Sequence, residues 1–149
     1  MTKAEGRIGL ERDELGQTLI LLAKAFVFLG EKIAAAGGAT AQQWAVLHQI
    51  GAAGDGGLLP SELAAANKTS RANVTKFILR LDRLGYVAIS RSRTDGREKR
   101  LRLTRTGKRS LARMNAEKQD RLNKLLGVFT PGERADLLRL STQLLKQLA

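Results

Sequence analysis

Apolar residues follow a helical rhythm at both ends of this chain and fall into shorter, mixed periods between them. From about Ile8 to Ala36, Leu15, Leu19, Leu22, Phe26, Leu29 and Ile33 recur at three- and four-residue steps, the spacing of one helix face. Ile20, Val27 and Phe28 widen that face, so the helix needs cover on more than one side. Gly37-Gly38 stops it. Thr40 and Gln43 then stand at capping-box spacing before a second helix, whose core side is Trp44, Leu47 and Ile50. The glycine-rich run from Gly51 to Gly57 reads as a loop, and Leu58-Leu59 as a short extended piece beside a later ribbon.

The centre runs from Leu59 to Gly107. Leu63 and Ala64 give a short helix its buried side, and Asn67-Lys68-Thr69 is a turn, with Asn67 the residue suited to left-handed geometry. Ser70 is placed to cap the next helix by accepting a backbone N–H. Within that helix Val74, Phe77, Ile78, Leu81 and Leu84 form one apolar stripe, while Arg71, Asn73, Thr75, Lys76, Arg80 and Arg83 lie off it. Gly85 ends the helix. Tyr86 to Ile89 and Leu101 to Leu103 alternate as strands do, with Asp95-Gly96 a favoured two-residue turn between them.

After Thr104 a long helix is predicted to about Leu126, with Leu111, Met114, Leu122, Leu125 and Leu126 on one side and a solvated middle from Glu117 to Arg121. Thr130, Pro131 and Glu133 restart a helix by cap, first position and box partner. Leu137, Leu140, Leu144 and Leu148 make its stripe, and Leu138 and Leu145 widen it. The terminal helices therefore carry more leucine than a small central lobe can cover, which predicts a homodimer. The fold class is mainly α with a small β-hairpin: a helix-turn-helix lobe with a wing over residues 40–107, and dimerisation helices over 8–36 and 108–149, in one domain spanning 1–149.

Charge sharpens this picture. Of the net +12, residues 1–59 contribute −1, residues 60–110 contribute +10 and residues 111–149 contribute +3. The excess thus sits on the helix-turn-helix and the hairpin, where Arg91, Arg93, Arg97, Lys99 and Arg100 surround the turn. A basic face of this kind fits the phosphates of double-stranded DNA. A membrane surface would instead favour a basic amphipathic helix bearing Trp or Phe, so no membrane partner is expected. The Leu19–Leu29 run is short and broken by Lys24, and no apolar secretory core opens the chain, which points to the cytoplasm.

Catalytic and metal chemistry find little support. There is no cysteine and one histidine, His48, with no acidic pair at ligand spacing, so neither metal nor cofactor is expected. Ser61 and Ser70 lack a base in any recognisable motif, and Thr106-Gly107-Lys108 is only a fragment of a phosphate loop. No enzyme activity is expected.

Five motifs in register carry a family resemblance: Ser61-Glu62-Leu63-Ala64, Asn73-Val74-Thr75, Arg83-Leu84-Gly85-Tyr86-Val87, Asp95-Gly96-Arg97 and Leu103-Thr104-Arg105-Thr106-Gly107. Together they resemble the MarR family of winged helix-turn-helix transcriptional regulators. Two positions depart from the family pattern: Ile89 stands where many members carry a basic residue, and Leu59 where a capping Thr or Ser is common. The resemblance implies a dimer bound to a pseudo-palindromic promoter site, often as a repressor, with Asp95 orienting Arg97 in a minor groove.

The second helix of the pair should then read bases through Ser70, Arg71, Asn73, Thr75 and Lys76, since Arg pairs with guanine and Asn with adenine. Arg91, Arg93, Asp95 and Arg97 are the expected wing contacts. The resemblance also implies release by a small aromatic or phenolic effector, for which Trp44 and His48 are lining candidates. A core role for Trp44 and an ordinary half-buried helix position for His48 are the plainer readings. Three alternatives stand beside DNA-sequence recognition: a winged-helix protein-interaction module, an RNA binder, and a non-specific architectural DNA binder. Single-stranded RNA readers need stacking aromatics, and Tyr86 alone serves the wing region.

Overall fold

The computed structural model describes residues 3–91 and 99–148. In order these form α1 (Lys3–Ala36), α2 (Ala41–Ala52), a 3-10 turn (Gly54–Gly56), α3 (Pro60–Ala66), α4 (Arg71–Arg83), β1 (Val87–Arg91), β2 (Lys99–Leu103), α5 (Arg105–Leu126) and α6 (Pro131–Leu148). The chain is mainly helical, with the two strands pairing antiparallel as one hairpin. It divides into two compact units, residues 1–114 and 115–149.

The first unit holds the core. Ile33, Val46, Leu47, Ile50, Leu63, Val74, Ile78, Leu81, Val87, Leu101 and Met114 are buried together, drawn from α1 through α5. The α4 stripe is therefore real, but Phe77 is only half-buried, and Leu84, already beyond the helix, is exposed. Trp44 packs against the cluster from its margin. By contrast the apolar face of α1 from Leu15 to Phe28 lies open, with Val27 70% exposed.

Local chemistry sets the helix boundaries. Thr40 Oγ1 accepts the Gln43 N–H at 3.2 Å, and Gln43 Oε1 accepts the Thr40 N–H at 2.9 Å, completing the box at α2. At α3 only half a box is possible: Glu62 accepts the Leu59 N–H at 2.8 Å, while leucine has no acceptor to return. Three helices end in the same motif, with a left-handed residue followed by an N–H reaching five residues back. Gly38 (φ +74) serves α1, Lys68 (φ +47) serves α3 and Gly85 (φ +69) serves α4. The left-handed residue of the helix-turn-helix is thus Lys68, and not Asn67 as composition suggested. Asn67 (φ −96) instead donates its amide to Leu63 O at 2.7 Å and trades bonds with Gln49.

The glycine-rich run is also more ordered than its composition implies. Gly51 and Ala52 belong to α2, and glycine suits the first of these positions because a Cβ there would meet Leu111 at 2.9 Å and Leu103 at 3.1 Å. The 3-10 turn follows, and Leu58 bridges Leu101, adding the expected extended piece beside the hairpin.

In the second unit, α5 carries Arg121–Glu117 and Lys124–Asp120 pairs at 2.5 and 2.8 Å. Glu117 is half-buried, so the middle of α5 is less solvated than its charge pattern suggests. Thr130 and Glu133 close a reciprocal box at α6, with bonds of 2.7 and 3.3 Å. No residue of α6 is buried: Leu137, Leu138, Leu140, Leu144, Leu145 and Leu148 are all exposed.

Candidate nucleic-acid interface

Ser70 stands between α3 and α4 with its hydroxyl accepting the Asn73 N–H at 3.2 Å. That bond fixes where α4 begins and leaves its first turn pointing outward. Burial of Val74, Ile78 and Leu81 then holds the opposite face of α4 against the core. Arg71, Asn73, Thr75 and Lys76 consequently share the exposed side, followed by Arg80 and Arg83. None of these four cations makes an ion pair among the described residues, so their charge is available to an external anion. A recess of about 390 Å³ opens along this side, lined among the described residues by Asn73, Lys76, Phe77, Leu79, Arg80 and Arg83.

The neutral side chains are more committed than the sequence indicates. Thr75 donates its hydroxyl to Arg71 O at 2.9 Å, so its proton is spent and its methyl is what it offers a base. Asn73 donates one amide hydrogen to Thr69 Oγ1 at 3.2 Å, leaving its carbonyl oxygen and second amide hydrogen for an adenine edge. Ser70 is chiefly a cap.

On the hairpin, Arg91 faces Lys99 across the ladder. Like charges directly opposite destabilise a strand pair unless an anion lies between or beside them. Lys99 therefore joins Arg91 as a candidate phosphate contact. Arg100 and Arg102 behave differently. Arg100 donates to Gly56 O at 3.2 Å, and Arg102 donates to Asp55 O at 2.7 Å and to Ser90 Oγ at 2.5 Å. These guanidinium groups hold the 3-10 turn against β2. Arg93, Asp95 and Arg97 lie outside the described residues.

Trp44 and His48 lie on one side of α2, the first half-buried and the second exposed. A separate cavity of about 250 Å³ lies elsewhere, between α2, α3 and α4, lined by Gln42, Ala45, Val46, Leu63, Asn67, Thr69, Val74 and Phe77. Among the described residues no group of three or more His, Asp or Glu could hold a metal ion, and no helix is long and apolar enough to cross a membrane.

Residues 38–98 match the model of the MarR family, a span that runs from the α1–α2 turn across the helix-turn-helix and into the hairpin. A search of curated proteins returned no match. Among solved structures, a MarR family transcription regulator designated SP03579 superposes with a TM-score of 0.81 at 19% identity, covering 95% of each chain. The regulator PcaV from Streptomyces coelicolor, in complex with its natural ligand, gives 0.67 at 24% identity over 90% of this chain and 93% of its own. A mutant of S. aureus MepR bound to an oligodeoxyribonucleotide gives 0.67 at 16% identity over 91% and 98%. At these identities the shared feature is the fold, and it extends over nearly the whole chain.

Proposed function

We propose that this chain, whose residues 38–98 match the model of the MarR family, is a winged-helix, sequence-specific regulator of transcription acting on double-stranded DNA. The observation that carries this is the exposed side of α4, where Arg71, Lys76, Arg80 and Arg83 surround Asn73 without ion-pair partners among the described residues. A helix with one face in the core and such a face outward fits the major groove. The oligodeoxyribonucleotide bound to the MepR mutant supports the same reading.

In this reading Arg71 and Asn73 read bases, Thr75 contacts a thymine methyl, and Lys76, Arg91 and Lys99 meet phosphates. Arg93 adds to the basic wing, and Arg97, oriented by Asp95, enters a narrow A/T-rich minor groove. The protein acts in the cytoplasm as a homodimer joined by its terminal helices. It represses from a pseudo-palindromic site whose half-sites lie roughly 34 Å apart, one turn of B-DNA. A small aromatic or phenolic effector, received near Trp44 and His48, releases it; the ligand complex of PcaV supports an effector of some kind.

Selection of bound fragments from a random duplex pool, followed by sequencing, tests this directly. The expected result is an inverted repeat with binding that survives excess non-specific duplex. Equal binding to all duplexes would leave an architectural role, and binding to single-stranded RNA alone would remove the reading.

A further inference from the structure

One hydroxyl joins the helix that opens the chain to the helix-turn-helix lobe. α1 ends with Gly38 N–H donating to Ala35 O at 3.0 Å and Ala39 N–H to Ala34 O at 3.1 Å. The carbonyls of Gly37 and Gly38 lie just past that closure and need donors from elsewhere. Tyr86 Oη donates to them, 3.0 Å from Gly37 O and 3.2 Å from Gly38 O. Ser110 Oγ, buried at 5% exposure, donates to the same Gly37 O at 2.6 Å. A Cβ on Gly37 would meet Ser110 O at 2.8 Å and would strike Met114, so the turn is seated tightly on α5.

Tyr86 is tied at its backbone as well. Its N–H donates to Leu81 O at 2.9 Å, closing α4, and its carbonyl accepts the Thr104 N–H at 3.0 Å where α5 begins. The end of α1, the end of α4 and the start of α5 therefore meet at one residue. A phenylalanine would pack the half-buried ring equally well; only the hydroxyl reaches across 49 residues of sequence to the α1 turn.

We infer that Tyr86, seconded by Ser110, is a positioning residue: by pinning the Gly37 carbonyl it sets the angle between α1 and α4, and hence the half-site spacing that the dimer accepts. The consequence for spacing rests on the dimeric DNA-binding function proposed above, whereas the joint exists in the single chain. A tilt of about 10° moves a point roughly 20 Å away by about 3.5 Å, close to the rise of one base pair. Small loosening at this joint is therefore read out as a change of register on the duplex.

Two measurements on the full chain decide it, with Tyr86→Phe, Ser110→Ala and the double variant. Because the chain has no cysteine, Lys24→Cys in α1 and Asp82→Cys in α4 accept spin labels cleanly. Pulsed dipolar spectroscopy on spin-diluted protein should show the α1–α4 distance distribution widening about two-fold in the double variant. An unchanged width overturns the joint, whether or not the protein binds DNA. Operators selected by the wild type are then respaced by one base pair either way. Tyr86→Phe should keep the base preference of each half-site while its penalty for respacing shrinks about 3- to 10-fold, the scale of one or two net hydrogen bonds. A uniform loss at every spacing marks a merely structural role, and that outcome, like an unaltered spacing penalty, overturns the inference. Failure of the wild type to bind any duplex would instead overturn the proposed function and leave the spin-label result to judge the joint.

Discussion

Gly107 lays its bare Cα against the carbonyl of Tyr86: a Cβ there would stand 2.8 Å from the carbonyl carbon and closer still to the oxygen. The neighbouring bonds explain why the approach is so close. Thr104 Oγ1 accepts the Gly107 N–H at 3.0 Å as the cap of α5, and donates to Gly85 O at 2.5 Å. The Leu-Thr-x-x-Gly run is thus a device that caps α5 while docking it on the end of α4. Gly107→Ala should destabilise the chain by on the order of 3 kcal/mol, since the obstacle is backbone and not a flexible side chain. Urea denaturation checks this; a loss under about 0.5 kcal/mol would mean the helix start can shift freely.

Lys68 gives a prediction of opposite sign. It takes the left-handed position closing α3, with its N–H on Ala65 O at 3.2 Å and the Thr69 N–H on Ala64 O at 3.1 Å. A side chain in that conformation costs roughly 1–2 kcal/mol that glycine avoids, partly offset by the greater freedom of glycine when unfolded. Lys68→Gly should therefore leave stability unchanged or raise it by about 1 kcal/mol, measured by thermal denaturation. Marked destabilisation would place the left-handed residue elsewhere.

These two sites show which parts of the fold are legible in the residues alone. The boxes at Thr40–Gln43 and Thr130–Glu133 and the cap at Ser70 were readable because both partners lie within one turn of chain. Gly51 looked like a loop residue because glycine is a poor helix former, and the close neighbours that leave no room for a Cβ there, Leu103 and Leu111, lie more than fifty residues onward. Arg100 counted toward the basic surround of the turn because charge is visible in sequence, whereas the carbonyl it binds lies 44 residues upstream. The partners of the Tyr86 hydroxyl were equally hidden. An aromatic opening a strand signals packing, and nothing local announces that its oxygen is employed. Lys99 was hidden for a different reason: a two-residue turn at Asp95-Gly96 would set Arg100 opposite Arg91, whereas the ladder pairs Arg91 with Lys99.

Base recognition should divide between Arg71 and Asn73, the exposed side chains of the first turn of α4 with suitable free donors or acceptors. Alanine at either should relax preference at one position per half-site, at about 1–3 kcal/mol where the contact is bidentate. Lys76→Ala should weaken all sequences alike and lower the salt slope by about one charge. Mutants at Arg71 and Asn73 that both retain the wild-type preference would move base reading off this turn.

At α6 the Thr130 N–H donates to the Glu133 carboxylate at 2.7 Å, and the Thr130 hydroxyl donates at 2.9 Å. These bonds, the backbone one first, hold the Glu133 carboxyl below the ordinary glutamate range. A carboxyl depressed by folding favours the folded state above its unfolded pKa, and that contribution is lost as pH falls through the lower folded value. Carbon-detected NMR titration should place Glu133 below the ordinary glutamate range, and the first turn of α6 should fray as it protonates. Titration within that ordinary range would show that the box is not populated.

The chain should be a near-obligate homodimer, and the reason is apolar surface left open in both units. In the first, Leu15, Leu19, Leu22 and Phe26 are 57%, 38%, 47% and 49% exposed along one side of α1. In the second, Leu137, Leu140 and Leu144 are 44%, 49% and 45% exposed, and Leu148 reaches 84%. Soluble monomers rarely show contiguous apolar patches beyond a few hundred Å². A self-complementary interface between two copies would bury equivalent stripes about a two-fold axis, as isologous contacts require. Burial at about 25 cal/mol per Å² supplies a large driving force before association entropy and side-chain ordering are subtracted. Leu140→Glu with Leu144→Glu should therefore shift the mass measured by light scattering at micromolar concentration from two chains to one. The same variant should bind a full inverted repeat no more tightly than a single half-site. A wild-type chain that is monomeric at that concentration, yet grips an isolated half-site tightly, would remove both the dimer and the operator symmetry it demands.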